Sequence, residues 1–210
     1  MPMFNERDAY GWMAMSLHWL LFLLIAGLVA SGKYSDSLGG SQKIMLLLDS
    51  HKQIGVAVFA LMLFRLCWRL INKKPEGVSD STFISIAAFA THWMLYITVL
   101  LQALIGICVS QLFGHDVSFL GVLQVPSFVD TAKSALDALS FMPEFIFEAD
   151  ISHAKKMRAL HYWGGNAIMF LVAVHVLGAL THHYLIGDDT LRRMIFGYKP
   201  AYAKEKDHSL

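Results

Sequence analysis

The sequence carries little charge for its length. Of its 210 residues, only 16% are Asp, Glu, Lys or Arg, while 56% are hydrophobic, and the mean hydropathy is +0.50. An average soluble domain contains about 25% charged residues, so this composition excludes an ordinary soluble globule and favours a membrane protein. The 17 basic and 16 acidic side chains leave a formal net charge of +1, which gives no electrostatic reason to expect nucleic acid as a partner.

Cysteine is also scarce. Cys67 and Cys108 both lie in apolar runs, and neither belongs to a CxxC or CxxCH motif. The sequence therefore lacks the signature of a covalently attached haem, and both cysteines are predicted to be packing residues. No internal repeat or low-complexity tract is evident either, which favours a single domain over residues 1–210.

The sequence does contain four long apolar runs. A transmembrane helix needs about 20 mostly apolar residues, because about 30 Å of hydrocarbon is crossed at 1.5 Å per residue. The mixed charges before the first run favour a retained span over a cleaved signal peptide. The fold class is therefore predicted to be all-α, an integral membrane four-helix bundle. The predicted spans are 12–31, 51–71, 83–110 and 159–186, with a long loop at about 111–157.

The distribution of basic residues predicts the orientation. Four spans put both termini on one side, and ten of the 17 Lys and Arg residues fall on that side, several of them in the short turn "RLCWRLINKK". Short basic loops tend to stay in the cytoplasm, so both termini are predicted to be cytoplasmic and the loop 111–157 periplasmic. Within that loop, the stretch 127–141 has the pattern of an amphipathic helix lying on the membrane surface or capping the bundle.

Seven of the ten histidines lie in or beside the apolar runs, and four of these are the main candidates for a functional site: His18, His51, His161 and His175. Ionisable groups inside a membrane are usually functional. His161 and His175 are 14 residues apart, so they share a helix face but are separated by about 21 Å along the helix axis. That separation is too large for one shared metal ion and predicts two separate prosthetic groups, one near each membrane surface.

Depth in the membrane predicts the partners of these two histidines. The direction of each span places His18 with His175 in the inner half and His51 with His161 near the outer surface. Both sites lack the Cys, Asp or Glu ligands that usually complete a zinc or copper shell. Two imidazoles on opposite helices instead suit six-coordinate haem, and glycines near the ligands, such as Gly164, could leave room for the macrocycle. Hydrogen bonding between helices is the alternative role for these rings.

Further polar residues are candidates for contacts with the haems or substrates. Arg65 and Arg69 could hold the propionates of an inner haem, and Lys52 and Arg158 those of an outer one. The three arginines could equally be ordinary interfacial charges, and for Lys52 that role is favoured. His182 shares a helix face with His175 and is within reach of a propionate or a quinone headgroup. His92 is a geometric rival of His18, and the role of His183 stays open. The remaining histidines are predicted to be loop residues: His115, His153 and His208.

These motifs resemble those of the prokaryotic cytochrome b561 family of small, four-helix, di-haem membrane proteins. The resemblance covers nearly the whole chain, and its most specific part is "HHYLIGDDTLRRM". It implies two non-covalent haems b ligated by His18, His51, His161 and His175, and an electron-transfer protein of the bacterial inner membrane that reduces ubiquinone. In some relatives it also implies oxidation of superoxide to dioxygen at the periplasmic surface. The stretches that carry the resemblance are "SLHWLLFLL", "DSHKQIGVAVFALMLFRLCWRL", "HWMLYITVLLQALIGI" and "LHYWGGNAIMFLVAVHVLGALTHHYLIGDDTLRRM".

Two other functions fit parts of this pattern. The chain could be a cytochrome b anchor that relays electrons between a periplasmic dehydrogenase or hydrogenase and the quinone pool, with loop 111–157 as the docking surface. It could also be a bundle without haem in which the histidines are structural. Superoxide oxidation is favoured by cations near the predicted outer ligands, because such clusters steer small anions. These cations are Lys52, Lys155, Lys156 and Arg158.

Overall fold

The computed structural model describes residues 2–7, 9–37, 42–73, 75, 82–119, 122–128, 130–131 and 151–195. This part of the chain is mostly helical. In chain order it contains helix α1 (Trp12–Ser37), helix α2 (Gln42–Ile71), helix α3 (Thr82–Leu112), strand β1 (Ser118–Phe119), strand β2 (Leu123–Gln124), helix α4 (Ile151–Thr181), a π-helical segment (His182–Ile186) and helix α5 (Thr190–Ile195).

The four long helices are apolar on most of their surface. Segments of 24 to 35 residues in them are long and apolar enough to cross a membrane, and only 11–22% of the most apolar stretch of each is buried within the protein. Large side chains such as Leu46, Phe83 and Phe170 are mainly exposed, as expected where lipid replaces water around the protein. The prediction of a helical protein with four membrane-spanning helices is confirmed.

Two helices begin earlier than the sequence predicted. Helix α2 starts at Gln42 and helix α4 at Ile151, whereas the predicted spans start at residues 51 and 159. The predicted bounds followed hydropathy, which falls at polar residues such as Asp49 and Lys155. A helix satisfies its own backbone hydrogen bonds and can therefore continue past its apolar part into the interface. The first residues of α4 thus lie in the stretch predicted as loop.

The described chain divides into two compact units. The first consists of Met1–Leu23, Leu61–Tyr96 and Phe170–Leu210, and the second of Leu24–Ala60 and Ile97–Met169. In the first unit the N-terminal segment is fixed by Asn5, whose side-chain oxygen accepts a hydrogen bond from the Gly11 amide at 2.9 Å and whose side-chain amide donates to the Lys73 carbonyl at 2.9 Å. The start of α1 is thereby held close to the end of α2.

The end of α4 is also ordered within the first unit. The helix passes into the π-helical segment and stops at Gly187, whose φ of 74° lies in the left-handed region that favours glycine. Asp188 follows, and its Oδ1 accepts a hydrogen bond from the Thr190 amide at 2.9 Å, capping α5. The Trp19 indole donates to the Met194 carbonyl at 3.0 Å, which holds α5 against α1.

The second unit contains a small hairpin that the sequence did not predict. Strands β1 and β2 pair antiparallel, with Ser118 opposite Gln124 and Phe119 opposite Leu123. Beyond the hairpin, the Gln111 side chain accepts from the Phe128 amide at 3.0 Å and donates to the Pro126 carbonyl at 2.9 Å. Most of the predicted amphipathic helix at 127–141 lies outside the described residues.

Candidate functional site

The structure brings His18 of α1 and His175 of α4 together within the first unit. Their ring centroids are 6.0 Å apart and their planes are inclined by 66°. Two imidazoles that bind one metal ion from opposite sides have centroids about 6 Å apart, because each metal–nitrogen bond is about 2 Å long. The separation of these two rings therefore fits a single ion between them.

The second unit contains an equivalent pair. The ring centroids of His51, on α2, and His161, on α4, are 6.2 Å apart with an interplanar angle of 77°. The two partnerships are those that membrane depth predicted. Among the described residues, no group of three or more His, Cys, Asp or Glu could hold a metal ion, so an ion at either pair would take its remaining ligands from a macrocycle or another added group.

Ser31 fixes the protonation of the His51 ring. Its hydroxyl donates to the Leu28 carbonyl at 2.9 Å and also lies 2.9 Å from Nδ1 of His51. Since the single hydroxyl proton is used on Leu28, the Ser31 oxygen accepts a hydrogen bond from Nδ1–H of His51. The neutral ring then carries no proton on Nε2, which is the form that a metal ligand requires.

His161 is enclosed by helix α3. The Gln102 side-chain amide donates to the His161 carbonyl at 2.6 Å, and a Cβ atom on Gly106 would lie only 2.9 Å from Cε1 of the His161 ring. Nδ1 of His161 is buried and has no hydrogen-bond partner among the described residues. Buried ring nitrogens without a partner are rare in folded proteins. The surroundings of His161 are therefore compatible with a site that an additional group completes.

His92 of α3 is a third ring in the first unit. Its centroid lies 5.0 Å from that of His175, and the two planes are nearly perpendicular, at 82°. Nδ1 of His92 is 2.5 Å from the Ala88 carbonyl, and it must be the donor because a carbonyl only accepts. The structure thus places His92 beside His175, which agrees with the prediction that His92 could compete with His18 as the partner of His175.

Arg65 contacts His18 directly. Its Nη2 donates to Nδ1 of His18 at 3.1 Å, and its Nη1 donates to the Ala14 carbonyl at 3.0 Å. The Arg69 guanidinium instead lies over the Tyr96 ring, 5.5 Å from the centroid. Both arginines therefore belong to the first unit, and Arg65 is the one that contacts His18.

The predicted cations of the second unit differ in their surroundings. Lys52 forms an ion pair with Asp49 at 2.7 Å, so it adds little net charge. Arg158 is exposed on α4, three residues before His161. Lys33, which sequence reasoning did not single out, donates to Asn166 at 2.7 Å and lies 4.2 Å above the Tyr162 ring. It is therefore an oriented cation next to the helix turn that carries His161.

His182 lies away from the histidine pairs, in the π-helical segment. Its Nδ1 is 2.5 Å from Oδ2 of Asp188, and both side chains are largely buried. Burial alone would raise the pKa of Asp188, but hydrogen bonds from Thr190 and His182 outweigh burial and keep that pKa below its ordinary value. His182 and Asp188 thus form a largely buried, hydrogen-bonded pair at the end of the last span.

The glycines near the ligands divide into two groups. A Cβ on Gly55 or Gly178 would meet nothing within 4 Å, which is compatible with space for a flat ring. Gly164 is different, because a Cβ there would collide with the Gln102 side-chain oxygen. The expectation that Gly164 leaves room for a macrocycle is therefore wrong, since its missing side chain makes room for Gln102 instead.

Sequence reasoning missed Ser31, Gln102 and Gly106. A signal for the first two exists, since each is a polar residue inside an apolar run and must find a hydrogen-bond partner there. Gly106 gave no signal of its own, because its role depends on which face of α3 is turned toward His161. That rotation is set by packing and is not visible in hydropathy.

Four membrane-spanning helices that hold two opposed histidine pairs are typical of membrane cytochromes b. The chain belongs to the prokaryotic cytochrome b561 family, whose model matches residues 9–197. Membership implies haem b, electron transport and a multi-pass membrane location, and the described helices agree with that location.

Similar proteins of nearly equal length occur in Escherichia coli and Yersinia pestis. Cytochrome b561 homolog 2 of Escherichia coli (strain K12) is 28% identical over 196 residues, which cover 91% of this chain and 93% of that protein. Cytochrome b561 homolog 1 of the same organism is 32% identical over 181 residues, with coverages of 85% and 92%. A Yersinia pestis protein described as a probable superoxide oxidase CybB is 26% identical over 187 residues, with coverages of 89% and 95%.

Proposed function

We propose that this membrane electron-transfer protein holds two haems b and passes electrons from superoxide, at the periplasmic face of the bacterial inner membrane, to ubiquinone. The observation that carries this proposal is the pair of opposed imidazoles in each unit, with ring centroids 6.0 and 6.2 Å apart. His18 and His175 would hold one haem, and His51 and His161 the other. When bound, haem would supply an iron centre that accepts and donates one electron at a time.

The polypeptide prepares the His51/His161 pair for that role. Ser31 sets the tautomer of His51, while Gln102 and Gly106 fix the backbone and ring of His161. Such neighbours orient a ligand, and the hydrogen bond from His51 to Ser31 also makes the His51 ring more basic.

Charge on α4 supports a small anion as the electron donor. Lys155, Lys156 and Arg158 are exposed shortly before His161, and Lys33 is oriented beside the same helix. Such a cluster raises the encounter rate of an anion at low salt.

The proposed reaction is balanced. Two superoxide ions lose one electron each and become two molecules of dioxygen, while one quinone takes the two electrons and two protons to become the quinol. The similarity to the Yersinia pestis protein that is described as a probable superoxide oxidase supports the same substrate.

Pulsed superoxide provides the test. The purified protein should become reduced by superoxide in the absence of any partner, and a short-chain ubiquinone should reoxidise it. The rate of reduction should fall as salt rises, because the Debye length is only about 8 Å at about 0.15 M ionic strength. Reversing the charge of Lys155 and Lys156 to Glu should slow this step without changing the haem spectrum, whereas the same reversal at Lys73 and Arg192 serves as the control and should leave the rate unchanged.

The opposite result has a specific meaning. Slow reduction that is insensitive to salt and to the charge of Lys155 and Lys156 would contradict superoxide as the donor. It would instead support the alternative function, in which the chain is a cytochrome b anchor that relays electrons between a periplasmic dehydrogenase or hydrogenase and the quinone pool. Copurification with a large partner would support that assignment.

A further inference from the structure

The base of the β1–β2 hairpin is held by the end of a membrane-spanning helix. Gln111 lies in the last turn of α3, and its side chain donates to the Pro126 carbonyl at 2.9 Å and accepts from the Phe128 amide at 3.0 Å. Val117, just before β1, is buried, and its carbonyl accepts a hydrogen bond from the Val125 amide at 2.8 Å. The chain on both sides of the hairpin is thus fixed close to the end of α3.

A second contact places the hairpin base beside helix α2. A polar cleft of about 200 Å³ lies between them, and it is lined by Asp49, Lys52 and Gln53 of α2 and by Asp116 and Ser118 of the chain entering the hairpin. The 18 residues that follow Gln53 in α2 span about 27 Å, close to the thickness of about 30 Å of the hydrocarbon core. Gln53 therefore marks the membrane boundary on α2, and the hairpin base lies next to that boundary.

The hairpin is too short to carry its tip far from this boundary. Val122 is three residues from Val125, so the two are at most about 10 Å apart at about 3.3 Å per residue. The headgroup region adds about 5–8 Å on each side of the hydrocarbon core. The tip must therefore lie in the lipid or close to the headgroup surface, and its composition decides between the two.

The hairpin tip, defined here as Val122 and Leu123, is apolar and open. These side chains are 88% and 66% exposed. The Val122 amide donates to the Phe119 carbonyl at 3.1 Å, so the chain reverses direction within the sequence "FLGVL". Turns that face water are dominated by Gly, Pro, Asn, Asp and Ser, and glycine is the only one of these in the segment. An apolar turn of this kind is suited to lipid.

We propose that the hairpin tip inserts into the lipid leaflet beside α2 and α3 and anchors this part of the chain to the membrane surface. Lipid is the occupant because the hairpin base adjoins the membrane boundary, and because the apolar surface of α3, which lipid covers, ends at Leu112, a few residues before the hairpin. The anchor is independent of the electron donor. It lies beside the turn of α2 that carries His51.

The composition of the hairpin also predicts what drives insertion. Residues 113–125 contain one charged side chain, Asp116, and no Lys or Arg. Anionic lipids attract segments that are rich in Lys and Arg, so they have no cation to attract here. Insertion is therefore driven by burial of the apolar side chains, and it should be insensitive to salt and to the charge of the lipid.

Fluorescence quenching in vesicles tests the anchor. A cysteine at Val122, in a background without native cysteines, is labelled with an environment-sensitive fluorophore, and the haem-loaded protein is reconstituted in phosphatidylcholine. Lipids with a spin label near the headgroup end of the acyl chain should quench this fluorophore about twofold or more, because interfacial segments bury apolar groups about 5–10 Å into the headgroup and acyl boundary. A label at Phe170, which is exposed on spanning helix α4, is the positive control.

Asp130 is the matched control outside the tip. It is exposed and follows the same hairpin, and a label there should be quenched by aqueous iodide and only weakly by the lipid spin label. Replacing part of the phosphatidylcholine with phosphatidylglycerol, or raising the salt, should leave quenching at Val122 unchanged. An unchanged haem content in each labelled variant shows that the protein is folded.

A charge placed in the tip should remove it from the lipid. With the label on Leu123→Cys, the additional change Val122→Asp should abolish lipid quenching, since a carboxylate is costly in hydrocarbon, whereas Val122→Leu should preserve it. Iodide quenching at Val122 as strong as at Asp130 would place the tip in water and overturn the inference. A disulfide between two copies of Val122→Cys, without lipid quenching, would place a second copy of the chain on the tip and would also overturn it.

Discussion

Replacing Gly106 with alanine should weaken haem binding at the His51/His161 pair. The new Cβ would lie 2.9 Å from Cε1 of His161, whereas ordinary contacts between such atoms begin near 3.4 Å. The ring must therefore move by about 0.5 Å, the difference between these two distances. It has little freedom to do so, because Gln102 holds the His161 backbone.

Overpacking of this kind costs about 1–3 kcal/mol, which corresponds to a loss of about 5–150-fold in affinity. We therefore expect the Gly106→Ala protein to retain haem at the His18/His175 pair and to lose part or all of the other. The pyridine haemochrome assay measures the ratio of haem to protein, and a redox titration should lose one of two components. Gly106→Leu should remove the second haem completely.

Gly27 provides the matched control for this experiment. It lies on the exposed side of α1, and a Cβ there would meet nothing within 4 Å. Gly27→Ala should keep both haems and gain slightly in stability, because alanine favours a helix by about 1 kcal/mol over glycine. Two haems of unchanged potential in Gly106→Ala, or an equal loss of haem in Gly27→Ala, would refute the proposed packing of Gly106 against a ligand.

Three further predictions follow from individual contacts. Ser31→Ala should reduce haem affinity at the His51/His161 pair by about 10–100-fold, which is the usual effect of losing a neighbour of a metal ligand. Ser35→Ala is the control and should leave the affinity unchanged, because it removes only a hydrogen bond to a backbone carbonyl. Titration of the apoprotein with haem measures both affinities. Asp188→Asn should lower Tm at neutral pH. The pKa of Asp188 in the folded protein is below its unfolded value near 3.8. The stabilisation by the ionised carboxylate is therefore complete above pH 3.8 and is lost as the pH falls through the folded pKa. The difference in Tm should therefore vanish in acid, and a constant difference would contradict the assignment. A cysteine at Ser37, in a background without native cysteines, should react with an impermeant maleimide from the periplasm, and reaction only after lysis would reverse the proposed orientation.

The partnership of the histidines could be predicted because it depends on depth alone. A helix rises by a fixed distance per residue, so the position of His18 or His161 along its span follows from the sequence. The structure brings together the same pairs that this calculation gave. His92 shows the limit of the method, since depth alone could not separate it from His18, and the structure places both rings within about 6 Å of His175.

Rotation of each helix about its axis could not be predicted in the same way. The helices are apolar on nearly every face, because lipid surrounds them, and hydropathy then gives no direction for the core. The role of Gly106 and the occupation of the space beside Gly164 by Gln102 both depend on that rotation. The ion pair between Lys52 and Asp49 was likewise missed, although its spacing of three residues on a helix was visible in the sequence.

The haem stoichiometry of single histidine variants tests the central claim most directly. The purified wild-type protein should contain two haems b per chain, and His18→Ala and His51→Ala should each contain one, because each variant removes one axial ligand. His92→Ala, measured beside them, should keep both haems. One haem or none in the wild-type protein would contradict the account, as would a His18→Ala variant that keeps two haems while His92→Ala loses one.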